Sequence, residues 1–149
     1  MSINYKQYYL HQRPVGATTD SDVKVRTVEV DSLTDGQLLI KNEYFSLDPA
    51  IRGWMSDEPS YMPPIELGDV IRSSTVGTVI ESKHPDFAAG DVVYGLNGWE
   101  QYSVSDGYFL TKVPEDNQFP LHYYLSAFGA VGLTAYFGIT DAAQLKPGD

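Results

Sequence analysis

Gln37-Leu38-Leu39-Ile40-Lys41-Asn42-Glu43-Tyr44-Phe45, introduced by a turn at Thr34-Asp35-Gly36, reads as a strand in the middle of a β-rich region. Upstream of it, Val23-Lys24-Val25-Arg26 and Val28-Glu29-Val30 alternate apolar and polar residues, the pattern of a half-buried strand. Downstream, the strand candidates are Val76-Gly77-Thr78-Val79-Ile80, Asp91-Val92-Val93-Tyr94-Gly95, Gln101-Tyr102-Ser103-Val104 and Tyr108-Phe109-Leu110-Thr111-Lys112-Val113. Short strands separated by Gly, Pro, Asp and Asn turns indicate a sandwich or a barrel. The body of the chain is expected to be all β.

Two places break that pattern. Asp48-Pro49-Ala50-Ile51-Arg52-Gly53-Trp54-Met55 opens with a carboxylate at an N-cap and proline at N1, two preferred starts of a helix. Gly53 limits it to one or two turns over residues 48–55. After Pro114, apolar residues at Leu121, Tyr124, Leu125, Phe128 and Val131 fall close to the helical period, which predicts a helix over 121–141 interrupted near Gly129 and Gly132. Gln144-Leu145-Lys146-Pro147-Gly148-Asp149 reads as a turn leading into another strand.

Composition narrows the function classes. The chain has 149 residues, 42% of them hydrophobic, and Asp+Glu outnumber Lys+Arg by 20 to 10, a net charge of −10. This is the make-up of one ordinary globular domain. The basic residues are scattered, which argues against nucleic acid as a partner. Cysteine is absent, so disulfides, thiolate nucleophiles and Cys-containing zinc sites are all excluded. His11, His84 and His122 form no metal-ligand spacing, and no metal site is expected. The N-terminal residues carry no signal-peptide pattern, which points to the cytoplasm. Asn117 to Thr140 holds no Asp, Glu, Lys or Arg, yet its His122, Ser126, glycines and tyrosines fit a helix of a soluble protein better than a membrane span.

Individual motifs carry little by themselves. Ala127-Phe128-Gly129-Ala130-Val131-Gly132 matches a variant of the dinucleotide fingerprint, but the residues before it read as helix, so it is taken as a decoy. Asp48-Pro49 is first of all a helix start. Thr134, the hydroxyl in the apolar middle of its helix, either bonds back to its own backbone or points at a ligand, and the first is the simpler reading. Ser60-Tyr61-Met62-Pro63-Pro64 is a stiff loop, either a pocket wall or a plain connection.

Together, however, an ordered set of motifs resembles one family. Leu47-Asp48-Pro49-Ala50-Ile51-Arg52-Gly53-Trp54-Met55, Ser60-Tyr61-Met62-Pro63-Pro64, Ser82-Lys83-His84-Pro85-Asp86-Phe87, Gly98-Trp99-Glu100-Gln101-Tyr102 and Gly129-Ala130-Val131-Gly132-Leu133-Thr134-Ala135-Tyr136-Phe137-Gly138 occur in this order. They are similar to the zinc-independent medium-chain dehydrogenase/reductases, near the prostaglandin reductases and alkenal double-bond reductases. The resemblance implies a GroES-like, partly open β-barrel over 1–149, with a Rossmann NADP-binding domain beyond it. It implies NADPH as cofactor, no metal, an enone, enal or quinone as substrate, and a homodimer when full length. It also implies that Asp48, Pro49 and Thr134 line the nicotinamide cleft, and that Tyr61 and Trp99 meet the substrate. Ala50 stands where the plant enzymes have Tyr, and Ala130-Val131 where many relatives have Met-Pro, so the pocket departs from theirs. A zinc-free quinone reductase and a non-catalytic GroES-like binding or assembly module are the rival readings.

Overall fold

The computed structural model describes residues 2–146 and 148, so the expected turn and strand across Pro147 and Asp149 lie outside the described residues. Among the described residues, seven strands form two antiparallel sheets. Strands β1 (Ile3–Leu10) and β2 (Val23–Val30) pair with each other, Ile3 opposite Val30 and Leu10 opposite Val23. Strands β3 (Leu38–Phe45), β4 (Arg72–Ser82), β5 (Val92–Gly98), β6 (Tyr102–Ser105) and β7 (Leu110–Lys112) form the second sheet in the order β6-β3-β4-β5-β7. Isolated bridges Gln7–Glu100 and Tyr9–Val70 tie β1 to the larger sheet, leaving the two sheets open.

The expected strands are all present. The two segments at 23–26 and 28–30 are one strand, and the segment at 76–80 is the middle of the longer β4. Strand β1 is an addition to the reading of the sequence.

Burial follows from side-chain chemistry. Leu38 and Ile40 of β3 meet Val79 of β4 and Val93 of β5 in one core cluster. A second cluster joins Leu10, Ile71 and Ile65 to the short helix α1 (Pro49–Trp54) through Ile51, Trp54 and Met55. Burying each such side chain contributes about 1.5–3 kcal/mol relative to leaving it exposed. Pro49 sits in the first helical turn as expected, with Asp48 at the N-cap. The Asp48 carboxylate makes no capping bond, however. It accepts from the Ser46 hydroxyl at 2.6 Å instead.

The helix expected over 121–141 is interrupted near Gly129 as expected, but not at Gly132, which lies inside its second part. A 3-10 turn covers Leu121–Leu125, an irregular stretch follows, helix α2 spans Ala130–Phe137, and a π turn covers Gly138–Ala142. The interruption is steric. A Cβ on Gly129 would lie 2.3 Å from the Tyr124 carbonyl oxygen, and one on Gly132 would lie 1.9 Å from that of Ala127. The two glycines permit a fold-back that the apolar spacing alone does not reveal. No strand precedes Gly129 in this segment, in keeping with the reading of the glycine pattern as a decoy. Helix α2 buries none of its residues. Among the described residues, no helix is long and apolar enough to cross a membrane.

Candidate functional site

The chain leaving β3 is pinned residue by residue. Ser46 donates its N–H to the Ser74 carbonyl at 2.8 Å. Its own carbonyl accepts from the buried Ser73 hydroxyl at 2.6 Å and from the Trp99 indole N–H at 3.0 Å. The Ser46 hydroxyl then holds the Asp48 carboxylate, and the Asp48 carbonyl accepts from Ile51 N at 3.0 Å to begin α1. Every polar group of Ser46 is thus committed to placing Asp48 at the edge of the sheet.

Asp48 faces a cleft of about 320 Å³ whose other walls are Tyr94 and Leu96 of β5, Phe109, Tyr124 and Leu125, and Ala130, Val131 and Leu133 around the start of α2. The lining is apolar apart from the Asp48 carboxylate, the Tyr94 and Tyr124 hydroxyls, Ser74 and Thr111. This is the composition of a pocket for a flat, mostly apolar group with a few polar edges.

The other expected site residues are placed as follows. Pro49 opens α1 beside Asp48 without lining the cleft. Thr134 is exposed on α2, and its hydroxyl donates to the Ala130 carbonyl at 2.7 Å, the back-bond anticipated as the simpler reading. Its oxygen keeps the capacity to accept. Trp99 borders a second hollow together with Phe45 and Leu47. Tyr61 is 78% exposed and stands edge-on to Trp54, with ring centres 6.3 Å apart. Its neighbours Met62 and Pro63 line a larger groove of about 840 Å³, which shares Leu96 and Phe109 with the Asp48 cleft. Asp48 and the start of α2 therefore meet in one cleft, which neither Trp99 nor Tyr61 lines.

Behind Trp99 lies a polar cluster that the sequence did not announce. Glu100, 8% exposed, accepts from Gln7 Nε2 at 2.5 Å and from the Ser103 hydroxyl at 2.7 Å. Asn42 Nδ2 donates to the Glu100 carbonyl and to Ser103 Oγ. Burial pushes the Glu100 carboxyl above the ordinary glutamate value, although the hydrogen bonds from Gln7 and Ser103 oppose the shift. Burial, and then the Glu100 charge, push the Tyr5 phenol up to about 12. Among the described residues, no group of three or more His, Asp or Glu side chains could hold a metal ion.

A sequence family described as the N-terminal domain of oxidoreductase matches residues 6–113. The NADPH-dependent curcumin reductase of Escherichia coli (strain K12) is 41% identical over 144 residues, which are 97% of this chain and 41% of that protein. Prostaglandin reductase 1 of Rattus norvegicus is 34% identical over 149 residues, 99% of this chain and 43% of that protein. The crystal structure of CurA in complex with NADPH from Vibrio vulnificus superposes with a TM-score of 0.87 at 35% identity, covering 97% of this chain and 42% of the other. The chain thus spans about two fifths of the length of the curated relatives it matches.

Proposed function

Because the chain belongs to the family of N-terminal domains of medium-chain oxidoreductases, we propose that it is the substrate-side domain of an NADPH-dependent reductase of α,β-unsaturated ketones and aldehydes. The observation that carries this reading is the meeting of Asp48 and the start of α2 in one apolar cleft. A dinucleotide-binding domain beyond residue 149 belongs to the same proposal. Its support is helix α2, which exposes Val131, Leu133, Tyr136 and Phe137, an apolar surface suited to packing against a second body.

The cleft fits the nicotinamide end of NADPH and nothing more of it. Its apolar walls suit a flat ring, and the Asp48 carboxylate, oriented by Ser46, suits a carboxamide N–H. No cationic side chain lines it to receive the phosphates. When bound, NADPH supplies the hydride that the substrate β-carbon accepts. The C=C electron pair then shifts toward the carbonyl oxygen, giving an enolate, and the α-carbon afterwards takes a proton.

The chain's own residues serve that chemistry by position. Leu96, Phe109, Val131 and Leu133 give the cleft apolar walls, on which a second body packed over the exposed α2 would complete the exclusion of water. Pro49 fixes the backbone beside Asp48. The Thr134 oxygen is available as an acceptor. The Tyr61 hydroxyl, on an exposed ring beside the adjoining groove, is the donor proposed for the developing enolate oxygen. Trp99 presents an indole whose N–H is already committed to Ser46, so it offers the substrate ring surface and no donor.

We read the site as metal-free, because the chain has no cysteine and its described residues contain no ligand cluster. A cytoplasmic setting and a homodimer of the whole protein rest on the family likeness. The test is steady-state reduction of an enone, an alkenal and a quinone by the complete protein, with and without a chelator. The proposal expects NADPH-dependent enone reduction that survives chelation. Turnover abolished by chelation and restored by zinc contradicts the metal-free reading.

A further inference from the structure

We propose that Arg13 is a positioning residue for the reaction. Its guanidinium closes the neck of the loop over residues 56–64 and so presents the Tyr61 hydroxyl, an inference that rests on the role given to Tyr61 above.

The neck comes first. Arg13 lies between β1 and β2, and its Nη1 donates to two carbonyls at once, those of Met55 and Ile65, each at 3.0 Å. Met55 ends α1 and Ile65 re-enters the same core cluster, so these two residues are where the loop leaves and rejoins the body. Both are buried, where a carbonyl without a donor is costly, and Arg13 is their donor. The Ile65 N–H donates to the Trp54 carbonyl at 2.7 Å across the same neck.

Arg13 is itself held in place. Arg52 of α1 donates through Nη2 to the Pro14 and Gly16 carbonyls at 2.9 Å, and through Nη1 to the Ser56 hydroxyl at 2.8 Å. One rigid fork thus binds the segment that carries Arg13 to the first residue of the loop.

Past the neck the loop has few other anchors. Among the described residues, residues 58–62 make no hydrogen bond. Pro63 accepts from Arg72 Nη1 at 2.9 Å, and the Tyr61 ring stands edge-on to Trp54. Pro59, Pro63 and Pro64 stiffen the chain, so a displacement at the neck is carried to Tyr61 rather than absorbed on the way. Arg13 also lies 3.5 Å from Asp57 and 3.8 Å from Glu66, but those carboxylates are largely exposed, and such ion pairs contribute little. The paired carbonyl bonds, not the charge, do the positioning.

The experiment is a double-substitution cycle in the complete protein, with NADPH and the enone benzylideneacetone. Arg13→Met keeps the apolar stem and removes the fork. It should lower kcat/KM by about ten- to a hundredfold, the scale of misplacing a group that acts in the reaction, while the KM for NADPH stays unchanged. In a Tyr61→Phe background the same change should add almost nothing, because both substitutions remove one donor. An unchanged kcat/KM in Arg13→Met, or an equal fall in both backgrounds, overturns the proposal. Asp57→Asn should match the wild type; a fall as large as that of Arg13→Met would assign the effect to the ion pair and overturn it too. Should Tyr61→Phe leave kcat/KM unchanged, or the wild type not reduce the enone, the reading of Tyr61 fails, and amide exchange decides the latch separately. The Ile65 amide should then exchange faster in Arg13→Met than in the wild type while the β3 amides stay unchanged. Equal exchange at Ile65 overturns the latch.

Discussion

Gln7 on β1 donates its side-chain N–H to the Glu100 carboxylate at 2.5 Å, across the seam between the two sheets. Arg26 on β2 donates both Nε and Nη2 to Gln7 Oε1, which fixes the amide so that its nitrogen must face Glu100. The amide therefore relays the Arg26 charge to a buried carboxylate, and β1, β2 and the large sheet are fastened by one chain of hydrogen bonds.

That chain sets a pH dependence with a definite sign. Burial raises the Glu100 carboxyl above its ordinary value of 4.5. The folded state thus holds its proton more tightly than the unfolded state does. This contribution to stability is fully present below the ordinary value and is lost as the pH rises through the raised one. Asp22 behaves oppositely. The Gln12 side chain and the Thr19 N–H hold its carboxyl below 3.8, and its contribution is lost as the pH falls through that lowered value. Urea melts across the acid range should show Glu100→Gln flattening the decline above the ordinary glutamate value. Glu100→Ala, which leaves the Gln7 N–H without its acceptor, should cost about 1–3 kcal/mol. An equally steep decline in Glu100→Gln would assign the pH dependence elsewhere.

A second prediction concerns the close approach of β3 and β4. A Cβ on Gly77 would lie 2.2 Å from the Lys41 carbonyl oxygen and 2.9 Å from Asn42 Cα, both backbone atoms that cannot step aside. The register of the pair shifts next to this point, between Asn42 and Tyr44. Gly77→Ala should destabilise the domain by about 2–4 kcal/mol. A denaturation midpoint close to wild type would show that the strands can separate at little cost.

Much of the β body was legible because polar and apolar residues alternate along it, as in Val23–Val30. Strand β1 was not. Its inward positions include Gln7 beside Tyr5 and Leu10, and a buried amide at a core position breaks the pattern that alternation relies on. The break of the C-terminal helix near Gly129 was legible from its glycines, but apolar spacing reports only which face is greasy and does not show that the first part is a 3-10 turn and the last a π turn. Asp48 and Trp99 were visible as candidates only through the ordered motifs that resemble a family. Phe45 and Leu47 read as a strand end and its exit. Their place beside Trp99 depends on the Ser46 hydrogen bonds, which join residues distant in the chain.

Tyr61 offers a third test. If its hydroxyl donates to the enolate oxygen, Tyr61→Phe should lower kcat/KM for an enone by roughly ten- to several-hundred-fold, the scale of losing one such donor. The ring contact with Trp54 survives this change, so folding should be unaffected. An unchanged kcat/KM would leave the tyrosine a packing role only.

The exposed face of α2 gives a fourth. Amides of residues 121–141 should exchange with solvent faster in the 149-residue chain than in the complete protein, because α2 buries nothing within this domain. Strand β3, with Leu38, Leu39 and Ile40 buried, should be protected in both. Equal protection of α2 in the two would mean that no second body covers it.

The central claim is tested most directly by following one atom. The complete protein is given NADPH deuterated on both positions of the nicotinamide C4, together with benzylideneacetone, and the product is examined by NMR and mass spectrometry. The account predicts the saturated ketone with a single deuterium on the β-carbon and ordinary hydrogen taken from water on the α-carbon. Deuterium on the carbinol carbon of an unsaturated alcohol, or no transfer at all, would contradict it.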